Sequence, residues 1–579
     1  MNVISAVKAY IVKMTEESEP GMKVLLMDKE TTSIVSMVYG QSEIQQKEVF
    51  LLERIDSPNY SNSTGLRYLK CLVFLRPTQQ NIELLCTELR NPKYGAYYIY
   101  FSNIVAKADI KILAENDEQE VVKEVQELYM DYLAVNPHLF SMGIPMCLNA
   151  INTTEITWNH AALQRTIQGL VSVLLSVKKS PIIRYQANSK LAKDLGNRVD
   201  ETMNKESSLF AFDQSGHSLL LILDRRDDPI TPLLNQWTYQ AMVHELLTIN
   251  NNRVSLSGTP GVSKELSEVV LSAEQDDFYK DNIVKNYGEI GQNIKELMDK
   301  FQAKAKSHQK IESIADMKNF VESYPQFKKL SGNVTKHVTV VGELSTRVNK
   351  YHLLEVSEVE QEISSQNDHS GHLSSIKKLI HNDKIRHTDA AKLVMLYALR
   401  YQNHSNNEIP GLIDLLEKRG VSDKLIKDII YLLEYAGSHA RQSNLFNVEN
   451  AVKITKRFFK GLSGVDNVFT QHKPLLHDTL EDLIKGRLRD NLYPIVGNHS
   501  SGIRALDIII FIIGGATYEE SLAVHNLNSS YPSFNIVLGG TNIHNSSSFL
   551  DEIENAFRNV DMTKRRHTRH IRNVKFDFK

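Results

Sequence analysis

Cysteine is scarce in this chain. Only three of the 579 residues are cysteine, Cys71, Cys86 and Cys147, far apart and each in an apolar context. That excludes a disulfide scaffold and any C-x-x-C metal or redox motif, and it predicts buried free thiols in a reducing, cytosolic compartment. Long apolar runs are missing too: none reaches the roughly 18 residues of a membrane span. The N-terminal "MNVISAVKAYIVKMTEE" is too interrupted by charge for a signal peptide and reads as a short amphipathic helix. Nor is there an excess of one charge. Lys and Arg number 67 against 69 Asp and Glu, a formal net charge of −2, so no global field draws in nucleic acid or lipid. No repeat of fixed period occurs. What is present, 42% hydrophobic and 23% charged residues, is ordinary for a folded protein, and the length calls for two to four domains.

Strand and helix signals alternate over residues 1–135. "MKVLLMD" (22–28), "CLVFLRP" (71–77) and "YYIYFSN" (97–103) read as strands, and "QNIELLCTEL" (80–89) as a helix between them. Such alternation predicts βαβ units and a parallel sheet. "EVVKEVQELYMDYL" (120–133) reads as a helix with Val121, Val122, Val125, Leu128, Tyr129 and Tyr132 on one face. Beyond 140, "ALQRTIQGLVSVLLSV" reads as a buried helix, "SLLLILD" (218–224) as a central strand and "WTYQAMVHELLTI" as the next helix. From about 250 to 475 the pattern becomes charged and helical, almost free of strand signals. Val334, Val338, Val341, Leu344 and Val348 form one apolar stripe there. Pro325 and Gly332 interrupt that pattern, which predicts either a loop between two helices or a hinge beside an apolar face. The α/β texture returns after 475 with "DIIIFIIGG" and "FNIVLGG", so the helical block reads as an insertion. The last seventeen residues, "TKRRHTRHIRNVKFDFK", carry seven Lys/Arg and read as a basic tail that could touch anionic lipid weakly.

Catalytic signatures fail on inspection. "GGATYEES" after the strand at 507–513 lacks both the third glycine of a dinucleotide loop and the Lys–Ser/Thr of a Walker loop. Glu519 and Glu520 would repel a phosphate, yet they suit an empty helix N-terminus. Gly514–Gly515 therefore reads as a tight turn; a nucleotide-dependent enzyme using it is the alternative. Asp224, Asp227 and Asp228 could bind a metal but lack a further ligand, and read as a charged connection in which Asp224 pairs with arginines and Thr231 caps. "HELLT" (244–248) lacks the second histidine of a zinc protease. No catalytic residue, metal site or cofactor is indicated.

Taken together, "KVLLMDKETTSIVSMV", "LLILDRRDDPITPLLNQWTYQAMVHELL", "YPQFKKLSGNVTKHVTVVGEL", "VEQEI" and "DIIIFIIGGATYEES…IVLGGT" resemble the SM (Sec-one/Munc-eighteen-like) family of SNARE regulators over nearly the whole chain. Within it the resemblance is strongest to the vacuolar-protein-sorting branch of the endosome–trans-Golgi route. The resemblance implies a three-domain arch: α/β domain 1 (1–134), α/β domain 2 in two parts (135–247 and 476–579), and a mainly helical inserted domain 3 (248–475). It implies a non-enzymatic, monomeric SNARE chaperone, cytoplasmic and peripheral on Golgi and endosomal membranes through its SNAREs. Its partners would be a syntaxin-type SNARE, a vesicle SNARE and the assembled complex.

For sites, the resemblance implies a domain 1 pocket for a syntaxin N-terminal peptide, with Ile110 at the apolar position, Glu127 at the acidic one, and Leu113 and Val122 as walls. It implies a domain 1–domain 3 cleft for the syntaxin bundle; Ser33 stands where some relatives have a basic residue, so that contact is not carried over. It also implies a SNARE-templating helical hairpin around Pro325 and Val338. Thr231, Trp237 and Glu245 are expected to be structural supports, with Trp237 packing near the domain 3 junction.

Overall fold

The computed structural model describes residues 1–60, 65–212, 217–309, 314–443, 445–446, 472–497 and 504–560. The basic tail at 563–579 lies outside them.

The first sheet is all parallel, in the order β2-β1-β3-β4-β5: β1 Lys23–Met27, β2 Val49–Arg54, β3 Leu66–Leu75, β4 Tyr94–Phe101, β5 Val122–Glu127. Strands buried on both faces need continuous apolar runs, which is what "KVLLM" supplies. Asp28 ends β1 and starts the next helix: its carboxylate accepts from the Thr31 N–H at 2.7 Å, in a capping box with the Thr31 hydroxyl. Helices Val3–Glu17 and Lys29–Val38 cover one face of this sheet, and Gln79–Arg90 and Lys107–Asn116 the other.

The sheet corrects one helix expectation. Residues 122–127 form edge strand β5, paired with β4 through Tyr98↔Glu124 and Ile99↔Val125. Two β-branched valines in the strand, with Val121 just before it, outweigh the helical spacing beside a ready parallel neighbour. Leu128, Met130 and Tyr132 follow as a buried, non-helical crossing to the next sheet.

The second sheet runs β10-β11-β14-β15-β7-β6, with β6 Leu133–Asn136, β7 Leu139–Ser141, β10 Ile182–Tyr185, β11 Ser218–Asp224, β14 Asp507–Ile513 and β15 Asn535–Gly540. A small hairpin, β8 Leu148–Ala150 with β9 Ile156–Trp158, lies beside it. Only β6 runs antiparallel to its neighbour. Strand β11 pairs directly with β14, so the chain leaves this sheet after Asp224 and returns at Asp507. Among its described residues the intervening block is mainly helical and carries a two-stranded antiparallel ribbon, β12 Arg253–Ser255 with β13 Glu268–Val270, which three-residue strands do not betray in sequence.

Two long helices, Tyr287–Gln309 and Ile314–Lys350, pack as a hairpin that projects from this block. The second runs unbroken through Pro325, so neither a loop nor a break occurs there. A helix of 37 residues tolerates the one hydrogen bond that proline forgoes, at a cost of about 3 kcal/mol.

Candidate partner-binding surfaces

The helix Lys107–Asn116 and the edge strand β5 together carry all four residues expected at the domain 1 pocket. They do not share one environment. Leu113 is buried at 3% exposure in the core beneath the helix, and Val122 packs against that core. Ile110 is 38% exposed, far from an ordinary core isoleucine. Ile112 on the same helix is 39% exposed, and Val125 on β5 is 37% exposed. Val125 and Glu127 pair with Ile99 and Phe101, so they stand on the sheet face this helix covers. Glu127 is half-buried and anchored: one carboxylate oxygen accepts from the Val105 N–H at 2.8 Å, the other from the Tyr129 hydroxyl at 2.7 Å. Two fixed bonds hold that carboxylate in place beside an exposed apolar rim. Val125 is a further apolar residue of this face. Reading 120–133 as a helix hid Val125, and the parallel partner of β4 would have revealed it.

On the hairpin, Val341, Leu344 and Val348 are buried in one cluster with Tyr239 and Leu246, Val338 packs partly buried against it, and Val334 is buried one turn farther out. The stripe therefore faces a core. His337 anchors it. Its Nδ1 lies 2.8 Å from the Tyr239 hydroxyl and its Nε2 lies 2.8 Å from Asp276 Oδ2. Against the upward push of burial, His337 and Lys336 hold the Asp276 carboxyl well below the usual carboxylate range. Pro325 sits farther out along the same helix.

Thr231, Trp237 and Glu245 lie where the second sheet meets the helical block. The Thr231 hydroxyl donates to Asp228 at 2.6 Å and lies 2.9 Å from His472 Nε2. The cap here is Asp228, which also accepts from the Ile230 and Thr231 N–H groups; Thr231 is the capped residue, not the cap. Trp237 Nε1 donates to Ser357 at 2.7 Å, and its ring meets Tyr287 edge-on at 5.9 Å. Glu245 accepts from the Ser546 N–H at 2.9 Å and pairs with Lys392 at 3.2 Å. Lys392 also stands 3.9 Å from Glu360 and 3.8 Å from Asp389. Glu360 in turn accepts from the Asn235 main-chain and side-chain amides at 2.9 and 3.0 Å. One buried ammonium thus ties together three helices and the loop before Trp237. Sequence reasoning missed Lys392; its signal is a lone cation inside "AAKLVMLYAL".

The Gly514–Gly515 turn is closed to phosphate. Both residues have positive φ, +79° and +86°. A Cβ on Gly514 would meet Arg225 Cβ at 2.9 Å, and one on Gly515 would meet His544 Cδ2 at 2.1 Å. Behind the turn, Glu520 closes a capping box with Thr517 and pairs with Arg225, both partners buried. The Asp224 cluster is equally occupied. Asp224 pairs with Arg226 at 2.6 Å, and Asp227 accepts from the Gln442 and Ser443 N–H groups at 2.6 and 3.0 Å. Each carboxylate is engaged with chain donors.

The model of the Sec1 family matches residues 23–552. The chain belongs to the Sec1 family. Over 555 residues it is 60% identical to vacuolar protein sorting-associated protein 45 of Mus musculus, covering 96% of each chain. The solved complex of the SM protein Vps45 with the Qa SNARE Tlg2 is similar at TM-score 0.89 and 45% identity, over 96% of this chain and 98% of that one. The Unc18–syntaxin 1 complex of Monosiga brevicollis shares the fold at TM-score 0.77 and 19% identity, over 96% of this chain and 99% of that one. The family read from the motifs and the mixed α/β fold with parallel sheets both hold. Among the described residues no helix is long and apolar enough to cross a membrane.

Proposed function

We propose that this Sec1-family member is a non-enzymatic, SNARE-binding regulator of vesicle docking and fusion in endosome–trans-Golgi traffic. The observation that carries the reading is similarity over 96% of the chain to a solved SM protein–Qa SNARE complex. Domain 1 (1–134) offers the face around Ile110, Leu113, Val122 and Glu127 to the N-terminal peptide of a syntaxin-type SNARE. An apolar socket takes a Phe or Leu anchor, and the fixed Glu127 carboxylate meets a basic residue of the peptide. The hairpin of domain 3 (248–475), around Pro325 and Val338, holds SNARE helices side by side. Ordering one helix beforehand removes part of the entropy that a zippering bundle must otherwise lose. Domain 2 (135–247 with 476–579) supports both through Thr231, Trp237 and Glu245. The protein acts as a cytoplasmic monomer, recruited to Golgi and endosomal membranes by its SNARE.

Timed assembly of fluorescent cytosolic SNARE fragments tests this. The protein accelerates formation of the four-helix complex, and Val338→Asp, at the edge of the buried stripe, loses that acceleration. Equal assembly rates with and without the protein contradict the reading. Against the nucleotide-enzyme alternative stands the filled Gly514–Gly515 turn; micromolar ATP or GTP binding would restore it.

A further inference from the structure

A groove of about 370 Å³ opens between the β12–β13 ribbon and the hairpin helix Ile314–Lys350. One wall is β13, with Leu266 before it; the other is Lys329, Gly332, Asn333 and Lys336, one face of the helix by spacing. The ribbon has only two strands, so one edge of β13 is unpaired. The hydrogen bonds say which main-chain groups face that edge. Leu256 N–H donates to the Ser267 carbonyl at 2.8 Å and Leu271 N–H to the Asn252 carbonyl at 2.7 Å. Residues 267, 269 and 271 therefore face β12, and Glu268 and Val270 turn their amides outward. The Val270 carbonyl takes the Lys336 ammonium at 3.2 Å. The remaining outward groups, both of Glu268 and the Val270 N–H, have no partner among the described residues. Opposite them, Gly332 leaves the helix bare: nothing lies within 4 Å of an added Cβ. A glycine inside a helix costs about 1 kcal/mol against alanine, and packing gives no return for it here.

We propose that this groove takes an extended segment of the SNARE partner as a third strand on the ribbon, its main chain pairing with Glu268 and Val270 and an acidic side chain meeting Lys329. The proposal rests on the SNARE-binding reading above. Only a main chain in extended form offers donors and acceptors at the spacing a strand edge requires. The walls carry both signs, Glu265, Glu268 and Asp276 against Lys329 and Lys336, and the acidic side chain is placed by the cation left unpaired on the helix. Lys336 is committed to Asp276 and Glu268 to Arg253, whereas Lys329 is exposed beside Gly332 and makes no ion pair among the described residues.

Hydrogen exchange of the full chain, alone and with the complete cytosolic portion of a syntaxin-type SNARE, tests it beside calorimetry. The Glu268 and Val270 amides exchange fast in the free protein and slow at least tenfold in the complex. Gly332→Leu fills the groove on an open helix face, so its melting temperature does not fall, yet it weakens binding about tenfold and loses that protection. Lys329→Glu weakens binding as well. A SNARE that binds wild type and Gly332→Leu equally, with no protection at Glu268 and Val270, overturns the groove and leaves the SNARE reading standing. A SNARE that does not bind wild type at all overturns both.

Discussion

Lys392 is 3% exposed and faces three carboxylates, Glu245, Glu360 and Asp389, with Arg386 pairing to Asp389 at 2.6 Å. Burial alone would depress the lysine; the carboxylates override it and hold its ammonium above the ordinary range. Three acids against two bases leave one acid in excess. Burial pushes Glu360 up to about 7, with Lys392 pulling the other way. Lys392→Met, which strands the acids, should cost about 3–5 kcal/mol in denaturant unfolding. Glu360→Gln keeps one of the two acceptors for Asn235 and removes the excess acid, and should cost less. The native state keeps a Glu360 proton that the unfolded chain releases between about 4.5 and about 7. Stability from this group is therefore greatest below 4.5 and declines as pH rises to 7, a slope absent in Glu360→Gln. His244 runs the opposite way. Burial lowers it to about 4; its Nδ1 accepts from the Ile249 N–H at 3.1 Å and its Nε2 lies 3.2 Å from the Ile543 carbonyl. The unfolded chain takes a proton near 6.5 that the native state refuses until about 4. Acidification from 6.5 to 4 should cost about 3 kcal/mol through this residue, read as a steeper acid limb than in His244→Gln.

At the scale of elements, the hairpin helix carries a proline where no turn needs one. Pro325→Ala restores a main-chain donor and should stabilise the outer hairpin by up to about 3 kcal/mol, seen as slower exchange of amides near 321–329. Pro325 also marks a limit of sequence reading. A proline in a helical pattern signals a break locally, but the long flanking helix decides the outcome. The same holds at 120–127, where spacing favoured a helix and an adjacent strand won. The strands β1, β3, β4, β11 and β14 were legible because burial on both faces demands uninterrupted apolar runs. The Gly514–Gly515 turn was legible from what the loop lacks. The short ribbon β12–β13 and the lone cation Lys392 were not, since both gain meaning only from partners distant in the chain.

For the whole molecule, the two-part second sheet explains why a helical block can be inserted without breaking a core: β11 and β14 pair over their full length, Ser218↔Asp507 to Asp224↔Ile513, whatever lies between. The junction at Glu245, Trp237 and Thr231 then ties that block to the sheet, and the surface around Ile110 lies at the open edge of the other sheet. The most direct test of the central claim is calorimetric titration of the full chain with N-terminal peptides of endosomal and trans-Golgi syntaxins, beside Ile110→Arg. Ile110 is 38% exposed, so the variant should fold with unchanged melting temperature. An unpaired charge in a desolvated socket costs about 2–5 kcal/mol, so peptide binding should fall at least thirtyfold. Wild-type binding that Ile110→Arg leaves intact, or no binding by folded wild type, contradicts the account.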